Sequence, residues 1–132
     1  MDPAARAIDE LPSAIGGVLR AALQVDEVVT HVVPSIGCTL VLTKRRLLIV
    51  RDGSSFRPRT GVRQWDVGPG LAVRPGLVRQ GIGSLVIRWD RDVTSVFVRA
   101  DRWDEALALV GAVRGRVRIA RTRTGGSSSE SD

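Results

Sequence analysis

Few residues in this sequence have side chains suited to catalysis or metal binding. His31 is the single histidine and Cys38 the single cysteine, so the chain cannot form an internal disulfide or a structural zinc site of His and Cys ligands. His31 as a general base would need a nucleophile nearby, and Cys38 as a nucleophile would need a base and an orienting group. We therefore expect His31 to be a partly exposed strand residue and Cys38 a small buried side chain.

The sequence also lacks the short motifs that carry catalysis. It contains neither a Gly-x-Ser-x-Gly nucleophile elbow nor a His-Glu-x-x-His zinc motif. The run Gly81-Ile82-Gly83-Ser84 lacks the Gly-Lys-Ser/Thr ending of a phosphate-binding loop and is interpreted as a hairpin turn. These observations predict a protein that is not an enzyme and that holds no metal or cofactor.

Arginine is strongly over-represented among the charged residues of the sequence. The net charge is +6, and every cation except Lys44 is an arginine. Guanidinium groups form bidentate hydrogen bonds with phosphate oxygens. The candidate anion-binding residues lie in or beside expected loops, and they are Arg57, Arg59, Arg63 and Arg91.

A secondary basic patch has two parts, which are Lys44, Arg45 and Arg46 at a hairpin corner and Arg114, Arg118 and Arg121 near the end of the final helix. Each part has a simpler interpretation. The corner fits a solvated turn whose charges discourage pairing between sheet edges, and the C-terminal arginines complement a helix dipole. No aromatic residue is interleaved with the C-terminal arginines, so that segment offers no platform for stacking bases.

Four segments of different sequence pattern follow one another along the chain. In residues 1–25, Pro3 and Pro12 each start a short helical segment that should pack on the rest of the domain. Residues 26–100 contain β-favouring runs separated by turn signals, which predicts an antiparallel unit. The expected strands are 28–33, 38–42, 47–51, 62–67, 71–78, 85–89 and 95–98. Residues 101–121 have helical periodicity, and 122–132 are rich in Ser and Gly and are expected to be a disordered tail.

Individual residues indicate where the strands and the last helix lie in this predicted fold. Pro75 cannot donate a hydrogen bond to a ladder, so its strand should be an edge or carry a bulge. Leu85, Ile87 and Trp89 should share one buried face. Asp101 is the expected N-cap of the last helix. The apolar stripe of that helix is expected to be Trp103, Ala106, Leu107, Val110 and Val113, extended by Val117 and Ala120.

The length of 132 residues suits a single domain. The N-terminal acids Asp2, Asp9 and Glu10 do not fit a secretion signal. The longest stretch without charge, residues 28–43, is too short to span a bilayer. We expect a cytoplasmic protein, for which peripheral attachment to a membrane stays open.

Two passages resemble a known family. The run Thr39-Leu40-Val41-Leu42-Thr43-Lys44-Arg45-Arg46-Leu47-Leu48-Ile49-Val50, and the passage from Ser95-Val96-Phe97-Val98 into the final helix, resemble the bacterial PH-like and GRAM-like families of the pleckstrin-homology superfold. The resemblance covers about residues 26–114. It implies an α+β, mainly β fold, a seven-stranded antiparallel partly open barrel or sandwich capped by a C-terminal α-helix, here with an extra N-terminal helix.

The same resemblance shapes the functional expectation. In the phosphoinositide-binding branch, basic residues between the first two strands hold the phosphates, but the corresponding loop here, Pro34-Ser35-Ile36-Gly37, has no cation. We expect a noncatalytic interaction module that docks a protein partner through a strand edge or the groove beside the C-terminal helix. The alternatives are weak peripheral binding to anionic lipid or phosphate through the arginine-bearing loops, and electrostatic binding of nucleic acid. Homo-oligomerisation through the same edge is also open.

Overall fold

The computed structural model describes the backbone of residues 3–11, 13–51 and 62–129, and the side-chain surroundings of 6–11, 16–51 and 62–120. Two short helices come first, α1 (Pro3–Asp9) and α2 (Ser13–Ala22). The strands are β1 (Val29–Ser35), β2 (Cys38–Thr43), β3 (Arg46–Arg51), β4 (Val62–Asp66), β5 (Leu71–Arg79), β6 (Ile82–Trp89) and β7 (Asp92–Arg99). A 3₁₀ turn, Ala100–Arg102, leads into α3 (Trp103–Ser129).

The strands form two antiparallel sheets. Sheet A has the order β1-β2-β3-β4, and sheet B has the order β5-β6-β7. Within each sheet, every strand pairs with its neighbour in sequence. The predicted class, α+β and mainly β with a C-terminal helix, is therefore confirmed, and the described strands do not close into a barrel.

Sheet A is buried on both faces. Leu40, Leu42 and Leu47 point into the main core, which lies between the two sheets and α3. Val41 and Leu48 point the other way, into a second apolar cluster that includes Ile8 of α1 and Leu19 of α2. Strands covered on both sides have continuous apolar runs rather than alternation. The N-terminal helices therefore pack against the outer face of sheet A, in agreement with the expectation that this segment packs on the rest of the domain.

Strands β6 and β7 of sheet B start earlier than expected. Strand β6 starts at Ile82 rather than at residue 85, and β7 starts at Asp92 rather than at residue 95. The turn between β5 and β6 is confined to Gln80 and Gly81, both with positive φ (54° and 78°). Gly83 and Ser84, predicted to be turn residues, lie in β6 opposite Val98 and Phe97. The pairing with β7 provides hydrogen-bond partners and outweighs the low strand propensity of glycine.

Gly83 is required by the start of α3. A Cβ atom built at Gly83 would lie 2.5 Å from the indole ring of Trp103, and that ring packs against the main core. The glycine therefore creates the space in which the first turn of α3 meets sheet B.

We expect Gly83→Ala to lower the free energy of unfolding by about 1 to 3 kcal/mol, because the ring of Trp103 must move out of its packed position. The matched control is Gly111→Ala, since Gly111 lies in α3 and a Cβ atom added to it would meet nothing within 4 Å beyond its chain neighbours and the backbone of its own helix. This control should stabilise the protein by up to about 1 kcal/mol through helix propensity. Urea unfolding of both variants measures the difference. Equal stability of the two variants would contradict this packing.

Pro75 behaves as predicted. Its strand, β5, is an edge of sheet B, and the pairing with β6 shifts register between Pro75 and Val78. The inward face of β6 is also confirmed, with Leu85 and Ile87 buried and Trp89 packed against the core.

Helix α3 differs from the expected helix in its start, its face and its end. Asp101 lies in the 3₁₀ turn and is not the N-cap, because the chain makes this tighter turn before the α-helix begins. Leu109 is 1% exposed whereas Leu107 is 40% exposed, so the predicted stripe was wrong at Leu107. The helix continues to Ser129, beyond the expected end at residue 121.

Among the described residues, no helix combines the length and apolar character needed to cross a bilayer.

Candidate functional site

Of the predicted anion-binding residues, two lie in the described structure. Arg63, at the start of β4, donates from Nη1 to Thr94 Oγ1 at 2.6 Å. Its guanidinium carbon lies 5.1 Å from the centre of the Trp65 ring, which is a cation–π contact. Arg91 is exposed in the turn between β6 and β7. Arg57 and Arg59 lie outside the described residues, so the anion site as a whole stays a prediction.

The basic corner between β2 and β3 separates into two kinds of side chain. Lys44 and Arg45 are exposed, and Arg45 Nη1 donates to Gln24 Oε1 at 3.1 Å. Arg46 points inward and its side chain is largely buried. The corner is therefore only partly the solvated turn that its sequence suggests.

Arg46 forms an ion pair with Glu27, whose side chain is 0% exposed. Arg46 Nε donates to Glu27 Oε2 at 2.8 Å, Nη2 contacts Oε1, and Thr43 Oγ1 donates to Oε2 at 2.7 Å. Arg46 Nη2 also donates to the carbonyl oxygen of Ala22 at 3.0 Å. This network joins the end of α2 to sheet A.

The charge state of Glu27 follows from these contacts. Hydrogen bonding from Arg46 is the largest effect and outweighs burial, so the pKa of Glu27 falls from 4.5 to about 2. Glu27 is a residue that sequence reasoning missed, since an acid before the first strand usually indicates a solvated residue. Arg46 is thus a structural cation rather than part of a ligand-binding patch.

The C-terminal arginines also point in different directions. Arg116, half-buried, donates to the carbonyl oxygen of Thr43 and, at 3.0 Å, to Thr30 Oγ1. Burial lowers the pKa of Arg116. Arg114 and Arg118, in contrast, have exposed side chains, while the side chain of Arg121 lies outside the described residues. Arg116 fastens α3 to sheet A, and Arg114 and Arg118 face solvent.

His31 occupies the partly exposed strand position that was predicted. Its Nδ1 lies 2.9 Å from Thr30 Oγ1. Burial, and then the positive charge of Arg116, lower the pKa of His31. Cys38 is half-buried against the main core rather than fully buried. In the part of the chain that the structure describes, no three His, Cys, Asp or Glu side chains are grouped to hold a metal ion.

A cleft of about 470 Å³ lies beside His31, between α1, β1 and the start of α3. Its lining contains both signs of charge, from Arg6, Glu10, Arg102 and Glu105. Arg102 and Glu105 pair with each other at 3.1 Å. The cleft therefore shows no preference for a ligand of either charge.

A groove between β5 and α3 has a more uniform lining. It encloses about 340 Å³ and is lined by residues 71–74 of β5 and by Val113, Arg114, Val117 and Arg118 of α3. The floor is apolar, Arg74 and the two helix arginines provide positive charge, and no Asp or Glu is among the lining residues. The sequence analysis expected a groove beside the C-terminal helix, but sequence periodicity could not give its lining, because the groove exists only through the packing of α3 against the edge of sheet B.

Comparison with known proteins found no matching family model, no matching curated protein and no matching solved structure.

Proposed function

We propose that this chain is a noncatalytic interaction module of the PH-like class, and that it binds an acidic, extended segment of a protein partner in the groove between β5 and α3. Support for the class comes from the strand arrangement, a four-stranded and then a three-stranded antiparallel sheet followed by a helix packed on the shared core. The observation that carries the binding proposal is the groove itself, with its apolar floor and arginines.

The edge position of β5 explains why the bound segment is extended. Every second N–H and C=O of an edge strand points away from the neighbouring strand. An extended peptide can add to such an edge through main-chain hydrogen bonds, while its side chains enter adjacent pockets. Pro75 limits this pairing to the first half of β5, which is the half that lines the groove.

The charge of the groove explains why the segment is acidic. Arg74, Arg114 and Arg118 line it, and the lining contains no carboxylate. Guanidinium groups form strong, oriented hydrogen bonds with carboxylates. Exposed ion pairs contribute up to about 1 kcal/mol each, so these arginines select an acidic partner and set its register, and the apolar floor supplies the rest of the affinity.

We expect the full chain to bind a fluorescein-labelled octapeptide that alternates glutamate with valine more tightly than one that alternates lysine with valine. The double variant Arg74→Gln/Arg114→Gln should weaken binding of the acidic peptide about tenfold, because two oriented charge pairs are lost. Fluorescence anisotropy at low salt measures both affinities.

Lys44→Gln is the matched control, since Lys44 is an exposed cation at the far corner of sheet A and should leave the affinity unchanged. Thermal unfolding checks that each variant is folded. Equal affinity for the acidic and basic peptides, or an unchanged affinity in the double variant, would refute the groove as the binding site.

A further inference from the structure

A second exposed surface lies at the β5–β6 hairpin, away from the groove. In β7, Val96 and Val98 are buried, so Phe97 between them points outward and is 49% exposed. Ile82 of β6 lies opposite Arg99 and therefore on the same outer face. Leu77, within the bulged part of β5, is 72% exposed.

We call this surface the hairpin patch and define it as Ile36, Leu77, Ile82 and Phe97 together with Arg79 and Arg99. Arg79 pairs with Ile82 and Ile82 pairs with Arg99, so these three side chains lie on the same outer face. Ile82 and Phe97 are diagonal neighbours across the β6–β7 ladder, a separation that large side chains bridge. Ile36 adjoins Phe97, because its N–H donates to the Phe97 carbonyl at 2.9 Å. Beside the Ile82–Arg99 pair, the Ala100 N–H donates to the Gly81 carbonyl at 2.8 Å, which holds the β5–β6 turn against the end of β7.

The charge at this end of sheet B is positive. Residues 71–89, which form β5, β6 and their turn, contain no acidic residue. The acids of sheet B, Asp90 and Asp92, lie at its opposite end, in the β6–β7 turn and just after it. The nearest acid in sequence to Arg99 is Asp101, and it is followed by the cation Arg102.

Exposed apolar side chains beside arginines suit the interface of an anionic bilayer. Apolar groups enter the boundary between headgroups and acyl chains, and arginines bind lipid phosphates while their stems stay in the apolar layer. A single-stranded nucleic acid would need several aromatic rings for stacking, and Phe97 is the single aromatic residue of the patch. The aliphatic character of the other members therefore favours lipid.

We propose that the hairpin patch binds the surface of an anionic lipid bilayer, with Leu77, Ile82 and Phe97 inserted and Arg79 and Arg99 on the phosphates. This surface differs from the arginine-bearing loops that the sequence suggested, and it shares no residue with the β5–α3 groove. A partner protein held in the groove would then be brought to a membrane.

The test is co-sedimentation of the full chain with vesicles of phosphatidylcholine mixed with phosphatidylserine, and with vesicles of pure phosphatidylcholine. We expect binding to the anionic vesicles that weakens as salt is raised. Each arginine near an anionic surface strengthens binding about fivefold, so Arg79→Gln/Arg99→Gln should lower the partition constant about 25-fold. Leu77→Ser should also lower it several-fold, because an inserted side chain is lost.

The groove variant Arg74→Gln/Arg114→Gln is the matched control, since it removes as many positive charges as the patch variant. It should retain most of the binding, and the patch variant should in turn retain the affinity for the acidic peptide. Equal binding to both kinds of vesicle, or equal losses in the two charge variants, would overturn the proposal. An unchanged partition constant for Leu77→Ser would overturn insertion, as would complete release by inorganic phosphate at constant ionic strength.

Discussion

Replacing Glu27 with glutamine should lower the free energy of unfolding by about 3 to 5 kcal/mol, because Arg46 would be left largely buried without a counter-charge. The loss also affects Thr43, whose hydroxyl donates to the same carboxylate. Chemical unfolding near neutral pH measures this change. The double variant Glu27→Gln/Arg46→Met, which removes the unpaired charge, should recover part of the lost stability. A loss below about 1 kcal/mol in the single variant would show that the pair is as weak as a surface ion pair.

The same pair should govern part of the acid sensitivity. The pKa of Glu27 is lowered in the folded chain from 4.5 to about 2, so its stabilisation is present above about pH 4.5 and is lost as pH falls towards 2. This shift corresponds to about 3 kcal/mol. The stability difference between the wild type and Glu27→Gln should therefore shrink across that pH window. A difference that stays constant from neutral pH to pH 2 would contradict the assignment.

Leu109→Ala should destabilise the protein by about 2 to 5 kcal/mol, because it removes a fully buried side chain from the core between α3 and the sheets. Leu107→Ala is the matched control, with the same chemical change two residues earlier on the same helix. Since Leu107 is an exposed side chain, its replacement should change stability by no more than about 0.5 kcal/mol. Urea unfolding curves of the two variants test which face of α3 is buried, and a larger effect at Leu107 would contradict the structure.

The seven strands, apart from the starts of β6 and β7, could be predicted because their signals are local. Pro75 marks an edge strand whatever lies around it, and the alternation of Leu85 and Ile87 indicates one buried face. Turn residues separate each run from the next. The start of α3 was harder, because the tight turn that contains Asp101 has the same acidic, capping-like sequence as a helix N-terminus.

The misassigned face of α3 has a different cause. Leu107 and Leu109 both fit a helical stripe with Ala106 and Val110, and their spacing alone does not say which side the sheets occupy. The rotation of the helix follows from its contacts with the sheets, such as that of Trp103 with Gly83 and that of Arg116 with Thr43. The choice therefore depends on contacts between segments far apart in sequence.

The candidate site shows the same limit more strongly. Arg46 and Arg116 belong to runs whose sequence predicts exposed cations, yet each is held by a partner distant along the chain, Glu27 for the first and Thr43 for the second. A count of charges cannot separate such cations from Arg114 or Arg99, which do reach solvent. The described cations therefore include structural arginines, such as Arg46 and Arg116, and exposed ones, such as Arg99 and Arg114.

The bond between Arg116 and Thr30 also bears on how the protein is made. The two residues are 86 positions apart, so a growing chain can pair β1 with β2 long before α3 leaves the ribosome. During that interval the inner face of sheet A, including Leu40 and Leu47, lacks the helix that later packs over the same core. An exposed apolar sheet face of this kind is prone to association with other chains. The nascent protein is therefore exposed to aggregation until α3 is released.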